Sequence, residues 1–235
     1  MKLKAVIFDL DDTLYPEVQY VKSGLRAVSR WLSEQMGIAS EKIFSEFWQI
    51  YEMGRSSGKR IKIFDHWLER KSIQPDKWVE QMIEIYRSHT PSIKPYPKIP
   101  DLLAKLKRSY KLGIITDGFA YSQRQKLRAL QLESFFDVII FTDEIGGRAT
   151  WKPSPIPFRL ALEKLEISSS SSVYIGDNPL KDFYGARSIG MWTLHIQLSE
   201  GIYHHIVPPS PAHAADFKVN TLEGLLACLA KIEEG

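Results

Sequence analysis

One cysteine, Cys228, is all that the 235-residue chain contains, so no disulfide can form within it. That usage suits a reducing compartment. Long apolar runs are missing as well. No stretch approaches the roughly 20 residues that a membrane-spanning helix needs. The apolar run behind Lys2 and Lys4 stops at Asp9, too short for the apolar core of a secretory signal. Excess charge of one sign is also lacking: 31 basic and 28 acidic residues leave a net charge of +3, which offers no footprint for a nucleic-acid polymer or a membrane surface. Internal repeats are absent. These absences predict a cytoplasmic protein without membrane or nucleic-acid partners.

What is present is a chain 44% hydrophobic and 25% charged, enough to bury a sizeable core in one or two domains. Five short apolar runs read as strands: Ala5–Leu10, Leu112–Thr116, Val138–Thr142, Val173–Gly176 and Trp192–Ile196. They are near-continuous in Val, Ile, Leu and aromatics rather than alternating, the pattern of a parallel sheet covered on both faces. Between them run helical periods, such as Ile99, Leu102, Leu103 and Leu106, then Phe158, Ala161, Leu162 and Leu165, and finally Leu225, Cys228, Leu229 and Ile232. Strands alternating with helices predict an α/β fold, a doubly wound parallel sheet of Rossmann type.

Residues 17–90 break the alternation. Four apolar stripes at helical spacing run through them: Val21, Leu25, Val28 and Leu32; Phe44, Phe47, Trp48 and Tyr51; Ile61, Phe64 and Leu68; Val79, Met82, Ile83 and Tyr86. They predict a helical bundle inserted between the first and second strands. Its limits are "YPEV" (15–18) and the proline-rich "TPSIKPYPKIP" (90–100), since proline interrupts helices and stiffens linkers. The expected division is a core of residues 1–15 and 95–235 and a helical domain of 16–94.

Acidic and hydroxyl residues recur where the strands end. "AVIFDLDDTL" (5–14) runs from an apolar strand straight into Asp9, Asp11 and Asp12; the second strand ends in Thr116-Asp117-Gly118; the fourth ends in "IGDNPLKD", with Asp177 and Asp182. In open parallel sheets ligands bind beyond the carboxyl ends of the strands. The same positions also suit ordinary turns, because Asp and Asn bond local backbone. The first cluster resists that simple reading. Asp9 and Asp11 share parity in an extended chain, and two like charges 4 Å apart repel by about 4 kcal/mol at an effective dielectric near 20. A cation is the economical remedy, and oxygen donors without Cys or His at ligand spacing favour Mg²⁺ over zinc.

Taken in order, "DLDDT", Thr116, Lys152-Pro153 and "GDNPLKD" resemble the four motifs of the haloacid dehalogenase-like (HAD) hydrolase superfamily. The resemblance covers the core, and the helical insert sits where that superfamily carries its cap. It implies Asp9 as nucleophile and Asp11 as the acid and base that serves the leaving group and then the water. It implies Thr116 and Lys152 on the phosphoryl oxygens, with Asp117 and Gly118 beside the substrate. It also implies Mg²⁺ held by Asp9, the backbone carbonyl of Asp11, Asp177 and, directly or through water, Asp182. Neighbouring carboxylates are expected to raise the pKa of Asp11. Asp12 and Thr13 are expected to serve the turn.

The second aspartate separates this chain from the true dehalogenases, which lack it. The implied reaction is Mg²⁺-dependent hydrolysis of a small phosphomonoester, a sugar phosphate or a nucleotide, through an aspartyl-phosphate. The partner is a small phosphorylated molecule, and the protein is expected as a monomer or homodimer. A phosphotransferase or mutase, and a binding module without turnover, are the competing readings. Asp117 replaces the Asn of many relatives, either as a turn former or as a reader of substrate hydroxyls or amines. Arg148 is either an anion binder or a solvated loop residue. In the insert, Arg55, Lys59 and Arg60 lie on a basic loop, and His204 and His205 are assigned to a loop near the C-terminus.

Overall fold

A computed structural model describes residues 2–58, 61–75, 77–198, 201 and 206–234. Lys59, Arg60, His204 and His205 lie outside the described residues. The chain divides into two compact units, residues 1–17 with 94–235 and residues 18–93.

The first unit is built on a six-stranded sheet. Its strands are β1 (Ala5–Phe8), β2 (Lys111–Thr116), β3 (Val138–Phe141), β4 (Ser172–Gly176), β5 (Trp192–Ile196) and β6 (Phe217–Val219). Their order is β3-β2-β1-β4-β5-β6 and every pairing is parallel. The order reverses between β1 and β4, and such a switch point opens a crevice at the carboxyl ends of the central strands. All four residues of β1 are buried, as are the five of β4, which is why both read as unbroken apolar runs. One side of the sheet packs Ile7, Ile115, Ile140 and Tyr174 against Phe158, Ala161 and Leu165. Each of the buried Ile, Leu and Phe side chains contributes about 1.5–3 kcal/mol.

Four helices make up the second unit. They are α1 (Glu17–Met36, beginning one residue earlier), α2 (Ser40–Ser57), α3 (Ile63–Arg70) and α4 (Trp78–Ser88). Leu25, Val28 and Leu32 of α1 meet Ile43, Phe47 and Ile50 of α2, Trp67 and Leu68 of α3, and Met82 of α4 in one cluster. Phe47 meets the Trp67 ring edge-on, centroids 5.3 Å apart. The indole N–H of Trp67 donates to Glu46 Oε2 at 2.6 Å, so a large apolar ring is buried without orphaning its polar atom.

The helices between the later strands are α5 (Ile99–Leu106), α6 (Ala120–Leu130), α7 (Asp143–Gly146), α8 (Ile156–Leu165), α9 (Asp182–Ser188) and, after β6, α10 (Leu222–Glu234). The strand β6 is absent from the sequence expectations; it has three residues at the sheet edge, two half-buried and one exposed. The chain leaves the sheet after β1 and comes back before α5, and the N–H of Tyr96 donates to the carbonyl of Leu14 across that gap at 3.0 Å.

Candidate active site

The turn after β1 sets the site up. Asp9 N donates to Ile175 O at 2.8 Å, which holds Asp9 against the end of β4. Asp12 then takes a left-handed conformation, φ 53°, which a short acidic side chain tolerates better than most. Its Oδ1 accepts the N–H of Glu17 at 2.8 Å and so caps the start of α1. Asp12 therefore serves the turn. Thr13 Oγ1 is buried without a hydrogen-bond partner.

The turn sends Asp9 and Asp11 to different partners. Lys152 Nζ donates to Asp9 Oδ1 at 2.6 Å, to Asp182 Oδ1 at 2.8 Å and to Tyr174 OH at 2.8 Å. These three bonds use all three donors of the ammonium. Burial opposes the charge of Lys152, but Asp182 and Asp9 outweigh it and hold its pKa above the ordinary lysine value. At Asp9 desolvation prevails: burial raises its carboxyl pKa against the pull of Lys152 and Lys181. Lys181 Nζ stands 3.6 Å from Asp9 Oδ2 and 4.0 Å from Asp117 Oδ2.

Asp11 belongs to a second cluster. Lys126 Nζ donates to both of its oxygens, at 2.7 and 3.0 Å, Gln123 Nε2 donates to Oδ2 at 3.0 Å, and the Tyr15 hydroxyl donates to Oδ1. Burial would raise the Asp11 pKa, but Lys126, Tyr15 and Gln123 overcome it and hold the carboxyl below its ordinary value. This reverses the expectation that neighbouring carboxylates raise it, because the donors of α6 and Tyr15 outweigh them.

At the end of β2, the Thr116 hydroxyl accepts from Gln123 Nε2, so one amide reaches both Thr116 and Asp11. Asp117 Oδ1 accepts from the Thr142 hydroxyl at 2.8 Å and from Lys152 N at 3.2 Å. It ties the loop after β2 to the one carrying Lys152. Gly118 has φ +120°, and a Cβ there would lie 3.5 Å from Gln123 Cδ. Arg148 is exposed, its guanidinium 5.7 Å from the Trp151 ring centre.

At the end of β4, Asp177, Asp182 and Asp9 each offer a carboxylate oxygen, and these three atoms lie within 4.8 Å of one another. Asp182 Oδ2 accepts the N–H of Asn178 at 2.8 Å and presses on Gly176, where a Cβ would meet it at 2.5 Å. His195 is buried, and burial lowers its pKa. Its Nε2–H donates to the Asp177 carbonyl at 2.7 Å. Asp9 Oδ2 and Asp177 Oδ2 accept no hydrogen bond, and burial with Asp182 and Asp9 pushes the Asp177 carboxyl well up. Buried carboxylate oxygens left without donors are costly, and a hard divalent cation is the partner that suits an all-oxygen set. The residues present fit such an ion.

Every residue expected at the site thus enters one connected arrangement: Asp9, Asp177, Asp182 and Lys152 in a compact cluster, Asp11 and Thr116 joined through Gln123, Asp117 joined to the Lys152 loop, and Gly118 against the Gln123 amide. Tyr15, Gln123, Lys126, Tyr174, Lys181 and His195 also enter the site, and no sequence motif singles them out.

Comparison with known proteins agrees with this geometry. Residues 6–196 match the family described as haloacid dehalogenase-like hydrolase. A glyceraldehyde 3-phosphate phosphatase of Methanopyrus kandleri is 32% identical over 95% of this chain and 96% of its own length. A pyrimidine 5′-nucleotidase of Escherichia coli is 27% identical over 86% of this chain and 92% of its own. The crystal structure of a HAD phosphatase from Thermococcus onnurineus superposes with a TM-score of 0.62 at 29% identity, covering 97% of this chain and 98% of that one. With a family match across most of the sheet and its strand-end motifs, the chain belongs to the haloacid dehalogenase-like hydrolases.

Proposed function

We propose that this chain is a Mg²⁺-dependent phosphatase of small phosphomonoesters that works through an aspartyl-phosphate at Asp9, with residues 1–15 and 95–235 as catalytic core and 16–94 as cap domain. The observation that carries it is the division of labour at Asp9: Oδ1 is held by Lys152 at 2.6 Å, while Oδ2 accepts no hydrogen bond and faces Lys181 at 3.6 Å, and Asp9, Asp177 and Asp182 each offer a carboxylate oxygen within 4.8 Å of the others.

Asp9 and Asp177 would hold Mg²⁺ together with the backbone carbonyl of Asp11, and Asp182 would serve it through its place beside Lys152. Bound there, the ion offsets charge between the carboxylates and an incoming phosphoryl group. Asp9 attacks phosphorus as the bond to the leaving oxygen breaks, a covalent route open to carboxylates. Asp11, held ionised by Lys126, Tyr15 and Gln123, must take up a proton as the anionic substrate binds, and it then delivers that proton to the leaving oxygen. Water then attacks the aspartyl-phosphate, Asp11 takes up the water's proton, and inorganic phosphate leaves with Asp9 restored. Thr116 donates its hydroxyl hydrogen to a phosphoryl oxygen, and Lys152 balances the charge at Asp9 throughout. Such transfer is chiefly positioning and charge stabilisation, which this set of residues can supply.

Among substrates, the relatives favour a small sugar phosphate first and a nucleotide second, since the more similar of those two acts on glyceraldehyde 3-phosphate. The test is phosphate release from p-nitrophenyl phosphate with and without Mg²⁺, followed by a panel of phosphorylated metabolites. Activity that survives both EDTA and Asp9→Asn overturns the reading. Isomerised sugar phosphate without net phosphate release would replace it with a mutase.

A further inference from the structure

We infer that Lys181, and not Lys152, is the cation that donates hydrogen bonds to the phosphoryl group of the substrate. This rests on the phosphatase reading above.

The first ground is a count of hydrogens. An ammonium carries three. Those of Lys152 go to Asp9 Oδ1, Asp182 Oδ1 and the Tyr174 hydroxyl, and its side chain is fully buried. Lys152 can balance charge from inside the cluster, but it has no hydrogen left for an incoming oxygen.

The ammonium of Lys181 is placed differently. It stands 3.6 Å from Asp9 Oδ2 and 4.0 Å from Asp117 Oδ2. Both distances exceed the roughly 3.2 Å limit of an ordinary N–H···O bond. Lys181 therefore pairs with these carboxylates by charge alone, and among the described residues its three hydrogens are uncommitted. Its side chain is 27% exposed, so a molecule arriving from solvent can reach it beside the nucleophile.

The backbone beneath Lys181 is fixed. Between β4 and α9 the chain makes a turn around Asn178. The Asn178 carbonyl accepts the N–H of Lys181 at 3.2 Å and of Asp182 at 3.0 Å, its Oδ1 accepts the N–H of Leu180 at 3.0 Å, and its own N–H donates to Asp182 Oδ2 at 2.8 Å. Only the flexible stem of Lys181 has to move for the ammonium to meet a phosphoryl oxygen at Asp9. A charge-assisted bond to that oxygen is stronger than the long-range pairing it replaces.

The same charge acts in the opposite sense on a divalent ion. Removing Lys181 takes a positive charge away from the carboxylates proposed to hold Mg²⁺, so the ion should bind as tightly as before or more so. A side chain that merely shaped the turn would weaken both ligands when removed.

The test titrates inorganic phosphate into the Mg²⁺-loaded protein and, separately, Mg²⁺ into the phosphate-free protein, by calorimetry, for the wild type, Lys181→Met and Lys181→Gln. Melting temperatures are recorded alongside. Both variants should bind phosphate at least about tenfold more weakly, the loss expected for one charge-assisted hydrogen bond, and Mg²⁺ no more weakly than the wild type. Unchanged phosphate binding overturns the inference, as does a parallel loss of phosphate and Mg²⁺. The glutamine, polar and shorter, decides the matter should the methionine variant fail to fold. A wild type that neither binds phosphate nor releases it from p-nitrophenyl phosphate overturns the phosphatase reading itself, and the inference with it.

Discussion

Lys152 Nζ lies 2.6 Å from Asp9 Oδ1 across 143 positions of sequence, and neither side chain is more than 1% exposed. The contact joins the loop after β3 to the end of β1. Removing one member of such a pair leaves the other charge buried without a partner, which costs about 3–5 kcal/mol. Lys152→Met keeps the side-chain bulk and removes the ammonium from both Asp9 and Asp182, leaving Asp9 only Lys181 at 3.6 Å. Urea unfolding should show a loss of that size, and phosphate release should fall by at least about a thousandfold.

A divalent ion that binds only the folded chain must stabilise it by mass action. At a hundred times its dissociation constant, Mg²⁺ should add about 2.7 kcal/mol, visible as a rise in melting temperature that EDTA reverses. Asp177→Asn removes one of the two carboxylate oxygens that lack a donor and should abolish most of that rise. An equal rise in the variant would remove Asp177 from the ion's ligands.

Gly176→Ala places a methyl group 2.5 Å from Asp182 Oδ2. Asp182 is tied to Lys152 and to Asn178 N, so it cannot yield without breaking one of these bonds. The expected cost is about 1–3 kcal/mol in stability, together with weaker Mg²⁺ binding by calorimetric titration. Unchanged binding and stability would mean that this strand end can relax freely.

In the helical unit, Trp67→Ala vacates the centre of the cluster shared by the four helices and unpairs Glu46 from the indole. Truncating a buried tryptophan costs about 3–5 kcal/mol. Chemical denaturation followed by circular dichroism should show a loss of that order. Phe47→Leu, which retains most of the volume, should cost less than half as much.

How much of this was legible in the residues depended on which face each one shows. The central strands were readable because burial on both sides makes them continuously apolar, and the acids at their ends stood out by contrast. The strand β6 was not, since at the sheet edge only half of its surface needs to be apolar. The partners of Asp11 were hidden for a different reason. In "AYSQRQKLRAL" the inward face of α6 carries Ser122, Gln123 and Lys126 beside Leu127 and Leu130. Buried polar residues on a helix look in sequence like its solvent face, so nothing marked them as belonging to the site. The turn at Asp12 could not be anticipated from parity, because a single left-handed residue ends the alternation that parity assumes. The side chains of Asp9 and Asp11, which parity places on one face, pair with lysines on separate elements: Asp9 with Lys152 and Lys181, Asp11 with Lys126 of α6.

The backbone bond between Tyr96 and Leu14 has an architectural corollary. Because the outgoing and returning strands of chain are stitched together at the threshold, the sheet experiences residues 18–93 as though they were a short hairpin loop. Whatever is spliced in beyond that stitch leaves the register of β1 with β2 untouched. A change in the length of that excursion is therefore compatible with an unaltered pairing of β1 with β2.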